Sequence, residues 1–174
     1  MSGDRVTPAN LVERKRVLLV VDMAGTSRAT ARMDAGEMAQ LINTFFAACN
    51  EAITRRGGRI ATFLGDGCLA TFDEDDAVAA IDAALELEEG LSGVRDAFGV
   101  DIELGVNVHQ AVVAEANFAP DDRYNVMGTG VIHAFRMGAG PGIRISEPVY
   151  RQLPNDRRGA WRKHKPPAVY TYES

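Results

Sequence analysis

Residues 59–72 read Arg59-Ile60-Ala61-Thr62-Phe63-Leu64-Gly65-Asp66-Gly67-Cys68-Leu69-Ala70-Thr71-Phe72. Two short apolar runs flank a glycine–aspartate–glycine centre. That is the pattern of a β-hairpin, and Asp66-Gly67 is a dipeptide suited to a type I′ turn. Upstream, Val17-Leu18-Leu19-Val20-Val21 is a continuous apolar run closed by Asp22. A strand of that composition is buried on both faces. If the two strands are neighbours in one sheet, Asp22 and Asp66 converge at its edge. Paired carboxylates so placed hold divalent metal ions, and such ions usually handle phosphate.

The elements around this pair follow from periodicity and punctuation. Residues 1–15 read as a polar lead-in with a short helix after Pro8, and residues 16–174 as one domain. Met23 to Arg32 is a polar connection. Asp34 opens a helix to about Arg56, with Met38, Leu41, Ile42, Phe45, Phe46, Cys49 and Ile53 on its apolar face, ended by Gly57-Gly58. A second helix runs from Asp75 to about Leu91. Val100 to His109 alternates strictly as a strand, and Ala111 to Ala116 reads as its hairpin partner. Asn125 to Met137 reads as a helix and Ile143 to Ser146 as a short strand. Glu147 to Leu153 is a short helix capped by Ser146, Pro154 to Gly159 a loop, and Ala168 to Tyr172 the last strand. The order predicts an α+β fold: a mixed, mainly antiparallel sheet covered by helices, with a ferredoxin-like core.

Composition narrows the functions. The chain has 174 residues, enough for one domain with a proper core. A net charge of −5 argues against a broad nucleic-acid-binding face. Basic residues do cluster at Arg157-Arg158 and Arg162-Lys163-His164-Lys165, a patch suited to a small polyanion such as a nucleotide. Cys49 and Cys68 lack metal-type spacing and read as buried, reduced thiols of a cytoplasmic protein. No stretch is long and apolar enough to span a membrane, and the N-terminus lacks the apolar core of a signal peptide.

Taken alone, neither aspartate compels a metal site. A strand-ending Asp22 equally satisfies backbone amides, and Asp66-Gly67 is an ordinary turn dipeptide. The functional alternative for residues 21–27 is a metal carboxylate followed by a loop, Gly25-Thr26-Ser27, whose amides and hydroxyls cradle phosphate. Both segments in this order, separated by one long helix, are more specific than either.

Together with five further blocks they resemble the catalytic domain of class III nucleotidyl cyclases, over about residues 16 to 173. The blocks are Arg55-Arg56-Gly57-Gly58; Leu104-Gly105-Val106-Asn107-Val108-His109; Tyr124-Asn125-Val126-Met127-Gly128; Ala134-Phe135-Arg136-Met137; and Ile143-Arg144-Ile145-Ser146-Glu147-Pro148-Val149-Tyr150. The resemblance implies a head-to-tail homodimer with active sites at the interface. It makes Asp22 and Asp66 the ligands of two Mg2+ or Mn2+ ions, about 3.5–4 Å apart in such sites. Arg136 matches the arginine that stabilises the transferring phosphoryl group, and Lys163 or Lys165 a polyphosphate lysine. The reaction implied is conversion of a nucleoside triphosphate to a 3′,5′-cyclic nucleotide and pyrophosphate.

Three positions depart from the family pattern. The base-selecting positions carry Thr62 and Asn125, which is neither the adenine pair nor the usual guanine pair. The transition-state asparagine position carries Ile132, which donates no hydrogen bond; His133, Asn125 and Arg123 are the nearby substitutes. His109 falls at the family's strand-end histidine, a structural position. A cyclase domain without an adenine pair resembles the bacterial pyrimidine cyclases that make cyclic UMP or cyclic CMP as antiphage signals. The alternatives are an adenylate or guanylate cyclase with a divergent base pocket, and a cyclase-like dimerisation or nucleotide-binding module.

Overall fold

A computed structural model describes residues 7–164 and 169–173. The elements, in chain order, are β1 (Ala9–Ala24), α1 (Thr26–Ala29), α2 (Ala35–Thr54), β2 (Arg59–Leu64), β3 (Gly67–Asp73), α3 (Ala77–Phe98) and β4 (Glu103–Phe118). They continue with β5 (Arg123–Met127), α4 (Thr129–Arg136), β6 (Gly142–Ser146), α5 (Glu147–Gln152), β7 (Trp161–His164) and β8 (Val169–Tyr172). Short 3-10 turns cover Thr30–Arg32 and Asn155–Ala160. The sheet order is β2-β3-β1-β4-β6-β8-β7, with β5 also paired to β4. The first four strands give β2-β3-β1-β4 with antiparallel neighbours, which is the expected ferredoxin-like core. One pair, β4 with β6, is parallel.

β1 is central because its apolar run supplies both faces. Val17, Leu19 and Val21 pack with Leu41, Phe45, Cys49 and Ile53 of α2 and Ile81, Ala84, Leu87 and Leu91 of α3. The alternate residues Leu18 and Val20 pack with Leu69, Val113, Val126 and Ala134 under α4. Each fully buried Leu, Ile or Phe contributes about 1.5–3 kcal/mol of transfer free energy. α2 starts as read, with a reciprocal cap: Asp34 Oδ1 accepts from the Gly36 and Glu37 amides at 2.8 and 2.9 Å, and Glu37 Oε2 accepts from the Asp34 amide at 3.0 Å. Cys49 and Cys68 are buried free thiols. The Cys68 thiol beside it, together with burial, pushes the Cys49 thiol up.

The structure corrects several local expectations. Residues 9–15, expected as a lead-in with a helix, are the outer half of β1, paired with residues 112–117 of β4. They are exposed, so they lack the apolar alternation that marks a half-buried strand. Ala111 to Ala116 is not a hairpin partner of Val100 to His109 but the continuation of one sixteen-residue strand, because β1 is long enough to pair with all of it. Residues 125–127 belong to β5, and the helix starts only at Thr129. α3 runs on to Phe98, well past Leu91. Residues 155–160 form a 3-10 turn where a loop was expected. Ser146 holds the N-cap position of α5 but makes no capping side-chain bond, and its hydroxyl is buried without a partner. The hairpin turn is Gly65-Asp66, since Leu64 pairs with Gly67. Gly65 has φ +59° and Asp66 a negative φ, the pattern of a type II′ turn in which glycine takes the first central position.

Outside the apolar layers, one buried ionic cluster joins β1, β4 and β5. Arg16 donates to Glu115 through Nε at 2.6 Å and a terminal nitrogen at 3.1 Å, and also pairs with Asp73. The Tyr124 hydroxyl donates to Glu115 Oε1 at 3.1 Å. Burial raises the Glu115 carboxyl, but the Arg16 hydrogen bond and charge outweigh it and hold the group below its ordinary range. A lowered carboxyl stabilises the fold above its unfolded pKa of about 4.3, and the contribution is lost as the pH falls through the lowered value. Glu115→Ala, which strips a buried partner from Arg16, is therefore expected to cost about 3 kcal/mol in urea unfolding at pH 7. The difference from wild type should shrink at pH 3. An equal loss at both pH values would mean that packing, not charge, is what Glu115 supplies.

Candidate functional site

Alternation along β1 turns Asp22 to the same face as Leu18 and Val20, the side covered by α4. Its cross-strand neighbours are both glycines: Gly67 on β3 and Gly105 on β4. Neither position tolerates a side chain. A Cβ on Gly67 would stand 2.3 Å from the Val21 carbonyl oxygen, and one on Gly105 would stand 2.8 Å from that of Gly140. Asp22 lines a cleft of about 210 Å³ together with Leu64, Asn107, Phe135 and the Gly138–Gly140 loop. Asn107 is buried; its Nδ2 donates to the Gly138 carbonyl at 3.1 Å, while Oδ1 has no protein partner.

Asp66 comes to this place through the hairpin turn, whose Asp66 carbonyl accepts from the Met23 amide at 3.3 Å. That bond ties the turn to the end of β1. The two carboxylates then lie together. Asp22 keeps one side open to solvent, yet shielding of its carboxyl by the sheet edge and the adjoining Asp66 push its pKa up to about 6. Concentrated negative charge of this kind suits a hard cation. Among the described residues no group of three or more His, Cys, Asp or Glu side chains converges. Two carboxylates alone fit Mg2+ or Mn2+, ions that take their remaining ligands from water and a bound polyphosphate.

Met23 to Arg32, read as a polar connection, are instead the end of β1, the short helix α1 and a 3-10 turn. Gly25, with φ +88°, leads into α1, and its carbonyl accepts from the Arg28 and Ala29 amides at 3.0 Å. Thr26 is buried and donates its hydroxyl to the Met23 carbonyl at 2.8 Å, so the exposed hydroxyl of the trio is that of Ser27.

A second cleft, of about 630 Å³, opens between β2 and the β4–β5 turn. It brings together the two expected base positions, Thr62 and Asn125, with Arg59, Tyr124 and Arg123. Asn125 Oδ1 accepts from the Val126 amide at 2.8 Å. Arg59 had no signal in the sequence beyond following the Gly57-Gly58 helix stop.

The remaining candidates are dispersed within one chain. Arg136 is exposed on α4, one residue after Phe135 of the Asp22 cleft. His133 is exposed, its ring centre 4.6 Å from that of His109. Burial, with a smaller effect of His133, pushes His109 down to about 4, and its Nδ1 is buried without a partner. His109 lies mid-strand in β4, not at a strand end. Ile132 is 52% exposed, so packing within the chain does not account for it. Lys163 lies on β7, at the opposite edge of the sheet from the hairpin, with Nζ 3.3 Å from Glu147. Lys165 lies outside the described residues.

No protein-family model matches the chain. Its sequence is similar to an adenylate cyclase of Anabaena cylindrica, 26% identical over 155 residues that cover 80% of this chain and 31% of the relative. It is also similar to photoactivated adenylate cyclase subunit beta of Euglena gracilis, 28% identical over 151 residues, 79% of this chain and 18% of the relative. The chain thus spans under a third of the length of these curated relatives. Among solved structures it is similar to the adenylyl cyclase CyaB from P. aeruginosa, with TM-score 0.82, 18% identity, and 95% and 96% of the two chains covered. The guanylyl cyclase Cya2 gives TM-score 0.80 and 22% identity over 95% and 94% of the two chains. The fold is that of the class III nucleotidyl cyclase catalytic domains, as the sequence resemblance implied.

The paired carboxylates give a direct measurement. The Asp22 carboxyl should titrate at about 6 in carbon-detected NMR, and Asp66→Asn should lower it only part of the way, because burial, the larger cause, remains. The raised value weakens the fold as the pH rises from the unfolded value of about 4 to the folded value of about 6, where Asp22 must ionise in a place that disfavours its charge. Asp66→Asn should therefore gain stability at pH 7.5 and not at pH 4. An Asp22 pKa unmoved by Asp66→Asn would leave burial as the sole cause.

Proposed function

We propose that this chain is the catalytic domain of a metal-dependent nucleotidyl cyclase. It converts a nucleoside triphosphate to a 3′,5′-cyclic nucleotide and pyrophosphate. The observation that carries the reading is the convergence of Asp22 and Asp66 at the glycine-flanked end of β1. The likeness to solved cyclase domains and to relatives named adenylate cyclase supports it.

Asp22 and Asp66 hold the cations, two per site. Mg2+ or Mn2+ bound there supplies Lewis acidity toward the phosphates and neutralises charge on the pyrophosphate. Gly25, Thr26 and Ser27 adjoin the polyphosphate, Ser27 offering the exposed hydroxyl. Arg136 meets the charge on the transferring phosphoryl group through its planar fork of donors. Lys163 or Lys165 binds the polyphosphate. Thr62 and Asn125 face the base, and His133 takes the part that Ile132 cannot.

One copy of the chain does not assemble this set, because Lys163 lies on β7, at the sheet edge opposite the Asp66 hairpin. A head-to-tail homodimer completes it. Large apolar side chains stand exposed beside the site: Leu64 at 48%, Ile132 at 52% and Phe135 at 42%. They suit burial against a second copy. No helix of the described residues is long and apolar enough to cross a membrane. The base preference proposed is pyrimidine ahead of purine, UTP or CTP, because Thr62 and Asn125 form neither standard purine pair. The product would be cyclic UMP or cyclic CMP of the antiphage-signalling type, made in the cytoplasm.

The test is incubation of the purified protein with Mn2+ and each of the four ribonucleoside triphosphates, followed by detection of cyclic products. Asp66→Ala should abolish turnover while the dimer persists in sedimentation. Arg136→Ala should lower kcat by about 10²–10³ with a small change in KM. Activity that survives Asp66→Ala removes the metal assignment, and sole use of ATP removes the pyrimidine preference. No product from any nucleotide, with dimerisation intact, would favour the binding or dimerisation module that Ile132 suggests.

A further inference from the structure

The β2–β5 cleft is lined by hydrogen-bond donors, and one of them is held in place by the buried ionic cluster. Tyr124 is fixed at its hydroxyl, which lies 3.1 Å from Glu115 Oε1 and 3.0 Å from Thr71 Oγ1. The guanidinium carbon of Arg59 lies 3.5 Å from the centre of the Tyr124 ring. Arg59 and Thr71 are also cross-strand partners, so backbone register and ring contact place the guanidinium together. A guanidinium on a ring face spends no N–H on that contact and keeps its planar fork for a partner in the cleft.

The other polar groups share this bias. The Val126 amide can donate only to an oxygen, so the 2.8 Å contact fixes the orientation of the Asn125 amide. The oxygen of Asn125 faces the backbone, and its NH2 is left to donate. The Thr62 hydroxyl makes only a long bond, 3.3 Å, to the Phe63 carbonyl and retains lone pairs that accept one N–H. Asp121, the carboxylate of the cleft, lies 3.8 Å from Arg123.

We infer that Arg59 is a specificity-determining residue of this cleft and selects bases by their carbonyl oxygens, favouring uracil over cytosine and guanine over adenine. The inference rests on the cyclase reading for the identity of the ligand, but not on the pyrimidine preference. Uracil presents carbonyl oxygens on both sides of one N–H. Guanine presents O6 and N7 to a bidentate arginine. Cytosine and adenine instead present an exocyclic amino group, which would face the Arg59 and Asn125 donors and leave polar groups unpaired. The selection follows donor pattern and not ring size.

The experiment measures kcat/KM for all four nucleoside triphosphates with Mn2+, for wild type, Arg59→Lys and Arg59→Ala. Wild type should prefer UTP to CTP and GTP to ATP by about tenfold or more in each pair. Arg59→Ala should bring both ratios to within about threefold of unity, chiefly by loss on UTP and GTP. Arg59→Lys, which keeps the charge but not the fork, should fall nearer to Arg59→Ala than to wild type. A wild-type preference for CTP or ATP, or ratios unmoved by Arg59→Ala, would overturn the inference. An equal fall on all four substrates would too, since it would make Arg59 a general positioning residue. Calorimetric binding of the four triphosphates with Ca2+ gives the same ratios as Kd values without turnover. Selective binding without turnover would remove the cyclase reading and keep this one. Turnover with no oxo-base preference would do the reverse, and binding that is equal for all four, or absent, overturns the inference.

Discussion

The structure depends on one constraint: the Val17–Val21 run of β1 must be buried on both faces and still be followed directly by a charged residue. The run Val17–Val21 can be central only if helices cover both sides, so α2 and α3 pack against Val17, Leu19 and Val21, and α4 covers Leu18 and Val20. The next residue in the alternation, Asp22, follows Leu18 and Val20 onto the α4 side, while Met23 after it returns to the core. Glycines at both cross-strand positions then let the backbones close around it. The Met23–Asp66 bond delivers the second carboxylate to the same point. Burial of the strand and exposure of its terminal charge arise from the same alternation.

A second, quieter constraint shapes the other cleft. Long β4 pairs with β1 along its length and carries β5 on its outer half. Glu115, Arg16 and Tyr124 meet where these strands come together, and Tyr124 supports Arg59. Buried ion pairs contribute little net stability but can fix geometry. In this chain the fixed geometry extends from the cluster to the residue proposed to read the base. The carboxylate end and the donor-lined cleft thus draw on different parts of the sheet, which suits a site that must hold phosphate and base some distance apart.

The elements legible in the sequence were those with a strong local cause. The β1 run, the Asp34 capping box, the α2 stripe from Leu41 to Ile53 and the Gly65-Asp66-Gly67 hairpin all carry their signal within a few residues. The errors share a different feature. Residues 9–15 are polar and exposed, yet they are strand because β4 is available to pair with them. Ala111 looks like a restart after His109, yet the strand continues because β1 spans the join. Residues 125–127 precede a helix and share its composition, but pairing with β4 makes them strand. In each case a distant backbone, not a local preference, set the conformation.

The sequence by itself determined which two aspartates flank the apolar runs, the apolar stripes and the class of fold, because each follows from residue type at fixed spacing; the sheet register brought Asp22 and Asp66 together. Only the tertiary structure decided that Thr62 and Asn125 share one cleft, that Arg59 lies on Tyr124 there, and that Lys163 stands at the far edge from Asp22. It also decided which way the Asn125 amide faces, through a single bond to the Val126 amide. The physical reason is range. Spacing along the chain fixes which face of a strand a side chain takes, whereas contacts between residues tens of positions apart depend on sheet order and register, which no local pattern encodes.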